Sequence, residues 1–106
     1  MNPGRADRMD VEFTDTSLDR LETDPGFNAG FDRAIVKGFR KAMGAIRAAT
    51  DERDLYSMKS LHFKKLEGRR VHQRSMRLND QWRLILEIKL SSPKNIIVVV
   101  KIEDYH

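Results

Sequence analysis

Between residues 32 and 49 the hydrophobic side chains recur at steps of three and four, which is the spacing of one helix face. The residues on this apolar stripe are Ile35, Phe39, Met43 or Ala42, Ile46 and Ala49. Cationic residues occupy the other side of the same segment. Gly38 and Gly44 each weaken a helix by ~1 kcal/mol relative to alanine, so tertiary packing must hold it. The pattern predicts a main helix over residues 32–49.

Shorter elements are predicted on both sides of this helix. Hydrophobic and polar residues alternate at 11–13, which favours a short first strand. Residues 14–24 place two leucines on one side and end at Pro25-Gly26, so they predict a short helix. Thr50, followed by two acidic residues, suits the N-cap of a further short helix of one or two turns, which would end near residue 56.

After residue 72 the hydrophobic period changes from 3.6 to 2, the spacing of β-strands. The first predicted strand covers residues 73–79 and leads into a hairpin turn at 79–81. The second covers residues 82–90, and its core face carries Trp82, Leu84, Leu86, Ile88 and Leu90. The last strand, residues 96–103, is rich in β-branched residues, as is typical of a central strand.

Helices followed by an antiparallel meander predict the α+β class. We expect the N-terminal helices to pack on one face of an antiparallel β-sheet. The length of 106 residues is typical of one domain, which we place at residues 9–106. Residues 1–8 contain proline, glycine and scattered charges without a period, so we expect a flexible tail there.

The strand alternation also orients polar side chains. If Trp82 lies in the core beneath the helices, Arg77 and Arg83 project from the opposite, open face of the sheet. Continued to the end of the sequence, the same alternation separates two pairs of residues. One pair is Glu103 with Tyr105, and the other is Asp104 with His106.

Composition excludes several classes of protein. The chain has no cysteine, which excludes a disulfide framework, a thiolate zinc site and a cysteine nucleophile. Its three histidines are too few and too irregularly spaced for a metal site, and we expect neither metal nor cofactor. No apolar run approaches the ~20 residues that cross a bilayer, and the first ten residues do not form a signal peptide. We therefore expect a cytoplasmic protein with no membrane partner.

The positive charge is concentrated in one quarter of the chain. Residues 59–83 contain eight Lys and Arg residues against two acidic ones, a balance of +6. Residues 1–58 have a balance of −2, and residues 84–106 are neutral. Such a block suits a polyanion-binding surface, because each neutralised phosphate releases counterions. The charge alone leaves two interpretations open, which are nucleic-acid contact and a chance cluster of solvated side chains.

Short motifs follow one another in the C-terminal half. They are Leu66-Glu67-Gly68-Arg69-Arg70, Ser75-Met76-Arg77-Leu78-Asn79, Gln81-Trp82-Arg83 and Asp104-Tyr105-His106. In this order and spacing they resemble the HigB toxins of the RelE superfamily, which belong to bacterial type II toxin–antitoxin modules. The corresponding family runs are Leu-Lys-Gly-Asp-Arg, Ser-Ile-Arg-Ile-Asn, Gln-Trp-Arg and Asp-Tyr-His. The resemblance covers about residues 58–106, and the helices before them agree with the family fold.

The resemblance implies a small endoribonuclease that enters the ribosomal decoding site and cuts the bound mRNA without a metal. It also implies a HigA-type antitoxin with a helix-turn-helix, and operator DNA bound by the pair. Two alternatives stay open. One is a ParE-like toxin that acts on DNA gyrase, although that branch generally lacks the Asp-Tyr-His ending. The other is a non-catalytic nucleic-acid-binding domain that uses the basic block alone.

Metal-free cleavage by the neighbouring 2′-hydroxyl requires a base, an acid and cations that stabilise the phosphorane. The resemblance makes His106 the acid or base, since imidazole titrates nearest neutrality. Asp104 would orient His106 or accept a proton. Arg83 is the candidate for stabilising transition-state charge, because guanidinium binds phosphate through two hydrogen bonds. Tyr105 suits stacking on a base or a hydrogen bond to phosphate, and Arg77 suits a flanking phosphate.

Two charged positions depart from the family pattern, since Arg69 stands where the family has aspartate, and the other position is functional in the family. Where the family carries a functional lysine, this chain has Glu67. We hypothesise that Lys64 or Lys65 supplies the missing cation, because the local charge stays positive. The alternative is that Glu67 itself acts as the base. Arg70 and Arg74, from the same basic block, complete the predicted substrate-binding set.

Overall fold

The computed structural model describes residues 8–105. Within them the chain forms three α-helices, α1 (Thr16–Thr23), α2 (Arg33–Ala48) and α3 (Glu52–Ser57). Single turns of 3₁₀ helix follow at Lys59–Leu61 and Gly68–Arg70. Two parts of the sequence prediction, the role of His106 and nearly all of the tail, fall outside the described residues.

Five strands form one sheet across the described part of the chain. They are β1 (Asp10–Phe13), β2 (Lys64–Lys65), β3 (Gln73–Arg77), β4 (Trp82–Lys89) and β5 (Ile96–Asp104). Their order across the sheet is β1-β5-β4-β3-β2, so the last strand is an interior strand as predicted. Neighbours are antiparallel except β1, which runs parallel to β5. The predicted antiparallel sheet is confirmed for β2 to β5, and β1 adds one parallel strand at the edge, because the intervening helices and hairpin bring β5 back in the direction of β1.

The helices pack on one face of the sheet, which confirms the predicted α+β arrangement. The predicted stripe of α2 is buried along its whole length. It packs against apolar side chains of the three central strands, which are Met76, Leu84, Leu86, Ile97 and Val99. The helix begins after Asp32, whose carboxylate accepts a hydrogen bond from the Ile35 backbone N–H at 3.1 Å. This contact satisfies one of the free donors of the first turn.

Strand β4 departs from the predicted alternation. Leu90, assigned to the core face, follows the end of the strand and is 82% exposed. Trp82, assigned to the core, is half-buried and packs edge-on against Phe31 with ring centroids 6.0 Å apart. Ile85 is buried on the face opposite the helices, and the register with β5 shifts between Ile85 and Leu86. Such a shift places an unpaired residue in one strand, which alternation along a single strand does not reveal.

Helix α2 approaches the end of β3 at Gly38. A Cβ atom at this position would lie 2.5 Å from the carbonyl oxygen of Leu78. At Gly44, two turns along the same helix, a Cβ atom would meet nothing within 4 Å. The close approach therefore explains the first glycine, because any side chain there would push the helix away from the strand. Nothing in the structure explains the second.

We expect Gly38→Ala to lower the free energy of unfolding by about 1–3 kcal/mol, the usual effect of overpacking a tight contact. Gly44→Ala should raise it by about 0.4–1 kcal/mol, because alanine favours the helix and restricts the unfolded chain. Urea denaturation of the two variants beside the parent protein measures both changes. Stabilisation of similar size in both variants would contradict the close contact at Gly38.

Candidate functional site

The sheet face that the helices leave uncovered carries polar and charged side chains, and we call it the open face. The register between strands shows which residues belong to the open face, since residues directly opposite each other project to the same side of the sheet. Arg77 lies opposite Arg83, and Arg83 lies opposite Glu103, so both arginines are on the open face as predicted. The open face includes Lys64, Gln73, Ser75, Arg77, Arg83, Ile85, Glu87, Lys101 and Glu103, and it continues toward β1 with Lys89, Ile96, Val98 and Glu12.

Three side chains converge at one end of the open face, and we call Arg83, Tyr105 and Lys64 the Arg83 cluster. The guanidinium carbon of Arg83 lies 4.5 Å from the ring centroid of Tyr105, and the ammonium of Lys64 lies 5.3 Å from it. Lys64 Nζ also donates a hydrogen bond to the Tyr105 hydroxyl at 3.3 Å. The backbone N–H of Tyr105 donates to the Gln81 carbonyl at 2.7 Å, which anchors the tyrosine next to β4. Two cations therefore share one half-exposed aromatic ring.

The guanidinium of Arg83 is partly desolvated. Its Nε and Nη1 atoms are buried, and neither has a hydrogen-bond partner among residues 8–105. Buried donors without a partner carry a penalty of ~1–3 kcal/mol. An anion that accepted these hydrogen bonds would relieve the penalty, and its attraction to the cation would be strengthened by the low local dielectric. Arg83 is therefore suited to bind an anion more strongly than a fully solvated arginine.

Glu103, which lies opposite Arg83, is bound by other cations. Arg70 donates two hydrogen bonds to its carboxylate, from Nη1 at 2.9 Å and Nη2 at 3.0 Å. Lys101 Nζ lies 3.2 Å from the same group. The hydrogen bonds from Arg70 are the main reason why the pKa of Glu103 is held below its ordinary value. Glu103 thus stays ionised and fixes Arg70 beside the Arg83 cluster, although it does not neutralise Arg83 itself.

Arg77 is paired with a surface carboxylate. Its Nη2 binds Asp80 in the turn after β3, and the Asp80 side chain is 93% exposed. Exposed pairs of this kind contribute little, because water screens both charges. Arg77 and Arg83 also repel each other across the two strands, which is unfavourable unless an anion lies between or beside them. The Arg77 guanidinium is therefore available to exchange Asp80 for another anion.

Several predicted site residues do not join the Arg83 cluster. Asp104 lies opposite Trp82 and accepts a hydrogen bond from Gln81 Nε2 at 3.0 Å, so it projects to the side away from Arg83. The predicted separation of Asp104 from Glu103 and Tyr105 is confirmed for these three residues. His106, the fourth member of that prediction, lies outside residues 8–105.

Two predicted cations lie on the helix side of the sheet. Lys65 is directly opposite Arg74, and both therefore project to the face that carries the helices. Arg74 Nε donates to Glu52 Oε1 of α3 at 2.5 Å, and the Arg74 side chain is only 15% exposed. The structure therefore separates these two cations from Lys64 and the rest of the open face. Their contact with substrate stays a prediction.

The sequence analysis missed the polar network that supports the cluster. Gln73 accepts a hydrogen bond from Arg70 Nε at 2.8 Å and donates one to Glu87 at 3.1 Å. This chain of contacts ties the turn before β3 to β4 and β5. Alternation along each strand indicates which residues share a face, but it does not give the register that brings them together. Glu67 directly precedes the 3₁₀ turn that carries Arg70, and its side chain is exposed.

The two described histidines lie outside the Arg83 cluster. His62 is exposed and adopts the left-handed conformation with φ of 48°. His72 is also exposed, with Nε2 at 3.8 Å from Glu87. Within residues 8–105, no three His, Asp or Glu side chains are grouped in a way that would hold a metal ion. None of the helices in this part of the chain has the length and apolar character needed to span a membrane.

Helices packed on one face of a mostly antiparallel five-stranded sheet match the fold of small RelE-like toxins. A YoeB/ParE toxin from Agrobacterium tumefaciens has a similar fold, with a TM-score of 0.58 at 16% identity. The similarity covers 92% of this chain and 100% of that toxin. Residues 11–106 match the family described as RelE-like toxin of type II toxin–antitoxin system HigB. The chain therefore belongs to the HigB-like toxin family, and membership implies an antitoxin partner. No curated protein matches the chain.

Proposed function

We propose that this toxin is an endoribonuclease that cuts mRNA in the decoding site of the ribosome, without a metal ion. The observation that carries the proposal is the Arg83 cluster, in which a partly desolvated guanidinium lies against an exposed aromatic ring. Such a surface suits an unstacked nucleotide, since the ring can stack on the base while the cations bind the phosphate. Single-stranded RNA held by the ribosome presents nucleotides of this kind.

The proposed reaction occurs within the RNA strand. The 2′-oxygen attacks the adjacent phosphorus and the bond from phosphorus to the 5′-oxygen breaks, which leaves a 2′,3′-cyclic phosphate and a 5′-hydroxyl. A base removes the 2′-hydroxyl proton, and an acid protonates the departing oxygen. We assign one of these roles to His106. Asp104, which projects away from Arg83, acts only through His106, by orienting its ring or accepting its proton. Arg83 stabilises the added negative charge of the phosphorane.

The remaining residues of the open face bind substrate or position the cluster. Tyr105 stacks on a base or donates a hydrogen bond to phosphate, and Arg77 binds a flanking phosphate. Arg70 acts as a positioning residue, because its terminal nitrogens already bind Glu103. Lys65 and Arg74, on the helix side of the sheet, are left outside the proposed site.

Lys64 replaces the cation that the family motif places at the position of Glu67. We expect Lys64→Ala to lower kcat/KM for mRNA cleavage about tenfold, because it removes a charge beside Arg83 and a contact to Tyr105. Lys65→Ala removes the same charge from the other face and should lower it less than about twofold. Cleavage rates of the two variants on programmed ribosomes measure the difference.

The hypothesis that Glu67 is the base predicts a different result. In that case Glu67→Gln would cripple cleavage, whereas Lys64→Ala would leave it close to the rate of the parent protein. Full activity in both lysine variants would show that neither of them supplies the cation. These three variants therefore decide between the two interpretations that the sequence leaves open.

The proposed function is tested by adding the purified toxin to translating ribosomes and mapping mRNA ends by primer extension. Cuts at defined positions in the decoding site support it, provided that their rate does not depend on divalent metal added beyond the Mg²⁺ that keeps the ribosome intact. The alternative, a gyrase inhibitor, is tested on supercoiling of plasmid DNA. Inhibition of supercoiling without mRNA cuts would overturn the proposal, and so would RNA binding without cuts.

The proposal extends to the partners of the toxin. We assign a HigA-type antitoxin with a helix-turn-helix domain, and operator DNA bound through the toxin–antitoxin complex. The cations of the open face favour an acidic antitoxin segment, since opposite charges steer association and set the register of an interface. The ribosome and its mRNA are then the targets of the free toxin.

A further inference from the structure

A cleft of about 230 Å³ lies beside the open face, between helix α2 and the turn that follows β3. Its polar lining comes from Lys41 of α2, Ser60 of the first 3₁₀ turn, and Arg77 and Asn79 around the end of β3. Gly38 forms part of the same wall, where the helix backbone meets the Leu78 carbonyl. The two cations thus come from separate elements that are held together at one tight backbone contact.

The charge of this cleft is not balanced within the described residues. Helix α2 contains five cations and no acidic residue. Arg40 donates hydrogen bonds to the carbonyls of Leu21 at the end of α1 and of Asp24 after it, and Arg47 binds the Glu22 carboxylate. Lys41 is exposed and makes no hydrogen bond or ion pair within residues 8–105. On the opposite wall, the exposed carboxylate of Asp80 is the only hydrogen-bond partner of the Arg77 guanidinium within residues 8–105.

Two further features indicate what the cleft binds. Pockets for drug-sized molecules measure roughly 300–1,000 Å³, so this smaller cleft suits one nucleotide-sized group. Arg77, which lines the cleft, lies directly opposite Arg83 on the neighbouring strand. Residues so placed are separated by about 5 Å at Cβ, so the cleft adjoins the Arg83 cluster. A strand that has one phosphate at Arg83 would therefore bring a neighbouring phosphate to the cleft.

We infer that the cleft binds a phosphodiester group of the substrate RNA next to the linkage held by Arg83, with Lys41 as its main cation. This inference rests on the proposed RNA substrate and adds a second contact on the strand. Lys41 and Arg77 bind the phosphate oxygens from opposite walls, and Arg77 exchanges Asp80 for the phosphate. The Ser60 hydroxyl and the Asn79 amide hydrogen-bond the ribose or the phosphate.

The test compares Lys41→Ala with Lys37→Ala, a matched loss of charge one turn earlier on α2 and outside the cleft. Ribosomes are programmed with mRNAs in which one phosphate at a time, beside the cut site, is an uncharged methylphosphonate. With the parent protein, one such linkage should raise KM about fivefold, the effect of one partly exposed charge contact. In Lys41→Ala the same linkage should not raise KM further, because the lysine that contacts this phosphate is already missing and the two losses do not add. In Lys37→Ala the linkage should still raise KM about fivefold, as it does in the parent protein.

A second measurement does not depend on cleavage. For single-stranded RNA, the slope of log affinity against log salt changes by about 0.7 for each phosphate that the protein no longer neutralises. Lys41→Ala should show this change and Lys37→Ala should not, while both keep the parent melting temperature. Equal effects of the two variants, additive methylphosphonate effects or no RNA binding would each overturn the inference. A toxin that binds RNA with the expected slopes but never cuts it would sustain the cleft and overturn only the proposed nuclease activity.

Discussion

Replacing Arg83 with methionine should lower mRNA cleavage by about 10²–10³-fold while leaving the protein at least as stable as before. Removal of a charge that stabilises the transition state has an effect of this size on the rate of other enzymes. Stability should not fall, because Nε and Nη1 of Arg83 are buried without partners among residues 8–105. An apolar side chain of similar length removes the ~1–3 kcal/mol cost of leaving these buried donors without a partner. The variant also loses one cation–π contact, which is a smaller contribution at an exposed ring.

Single-turnover cleavage on programmed ribosomes and urea denaturation of the same preparation measure both effects. Arg69→Met is the matched control, since Arg69 is exposed and belongs to the same basic block. It should cleave at close to the parent rate. A fall in activity that accompanied an equal loss of stability would assign Arg83 a structural role. Cleavage by Arg83→Met within tenfold of the parent rate would remove it from the proposed mechanism.

Replacing His106 with alanine should lower the rate of cleavage by about 10²–10⁴-fold, the usual contribution of a general acid or base. In the parent protein the rate should depend on pH near neutrality, where imidazole changes its protonation state, and the variant should lose this dependence. The melting temperature should not change, because the preceding residue, Tyr105, is anchored by its backbone hydrogen bond to Gln81 and by the contact of its ring with Arg83.

The other two histidines provide the controls for this experiment. His62→Ala and His72→Ala remove imidazoles that are exposed and lie outside the Arg83 cluster, so growth arrest and the pH profile should be retained. Expression of the three variants without antitoxin compares their toxicity directly. Growth arrest by His106→Ala at the level of the parent protein would require another group to move the proton.

Most of the fold could be predicted because its elements have strong local patterns. The apolar stripe of α2 and the alternation in β4 identify a buried face without knowledge of any partner. The parallel pairing of β1 with β5 escaped prediction, since it joins segments that are more than eighty residues apart. The two-residue strand β2 also escaped, because two successive lysines have no hydrophobic pattern. Leu90 was assigned wrongly since the strand ends one residue before it.

The candidate site was predicted only as a set of residues, without its grouping. Lys64 and Lys65 are equivalent in the sequence, and pairing with β3 sends one to the open face and the other to the helix side. Arg74 and Arg77 are separated in the same way. The sequence assigns no role to Glu103, although this residue holds Arg70 beside the cluster. Such assignments need the register between strands, which no single strand contains.

By itself the sequence determined the α+β class, the two faces of the central strands, the basic quarter of the chain and the motifs of the HigB-like family. These properties depend on the order of side chains along one segment, so local periodicity and composition are sufficient to show them. Only the tertiary structure decided which cations are neutralised, as Arg70 is by Glu103, and which keep buried donors without a partner among residues 8–105, as Arg83 does. The physical reason is that electrostatic interaction depends on distance and desolvation in space, and both are set by how distant strands pair.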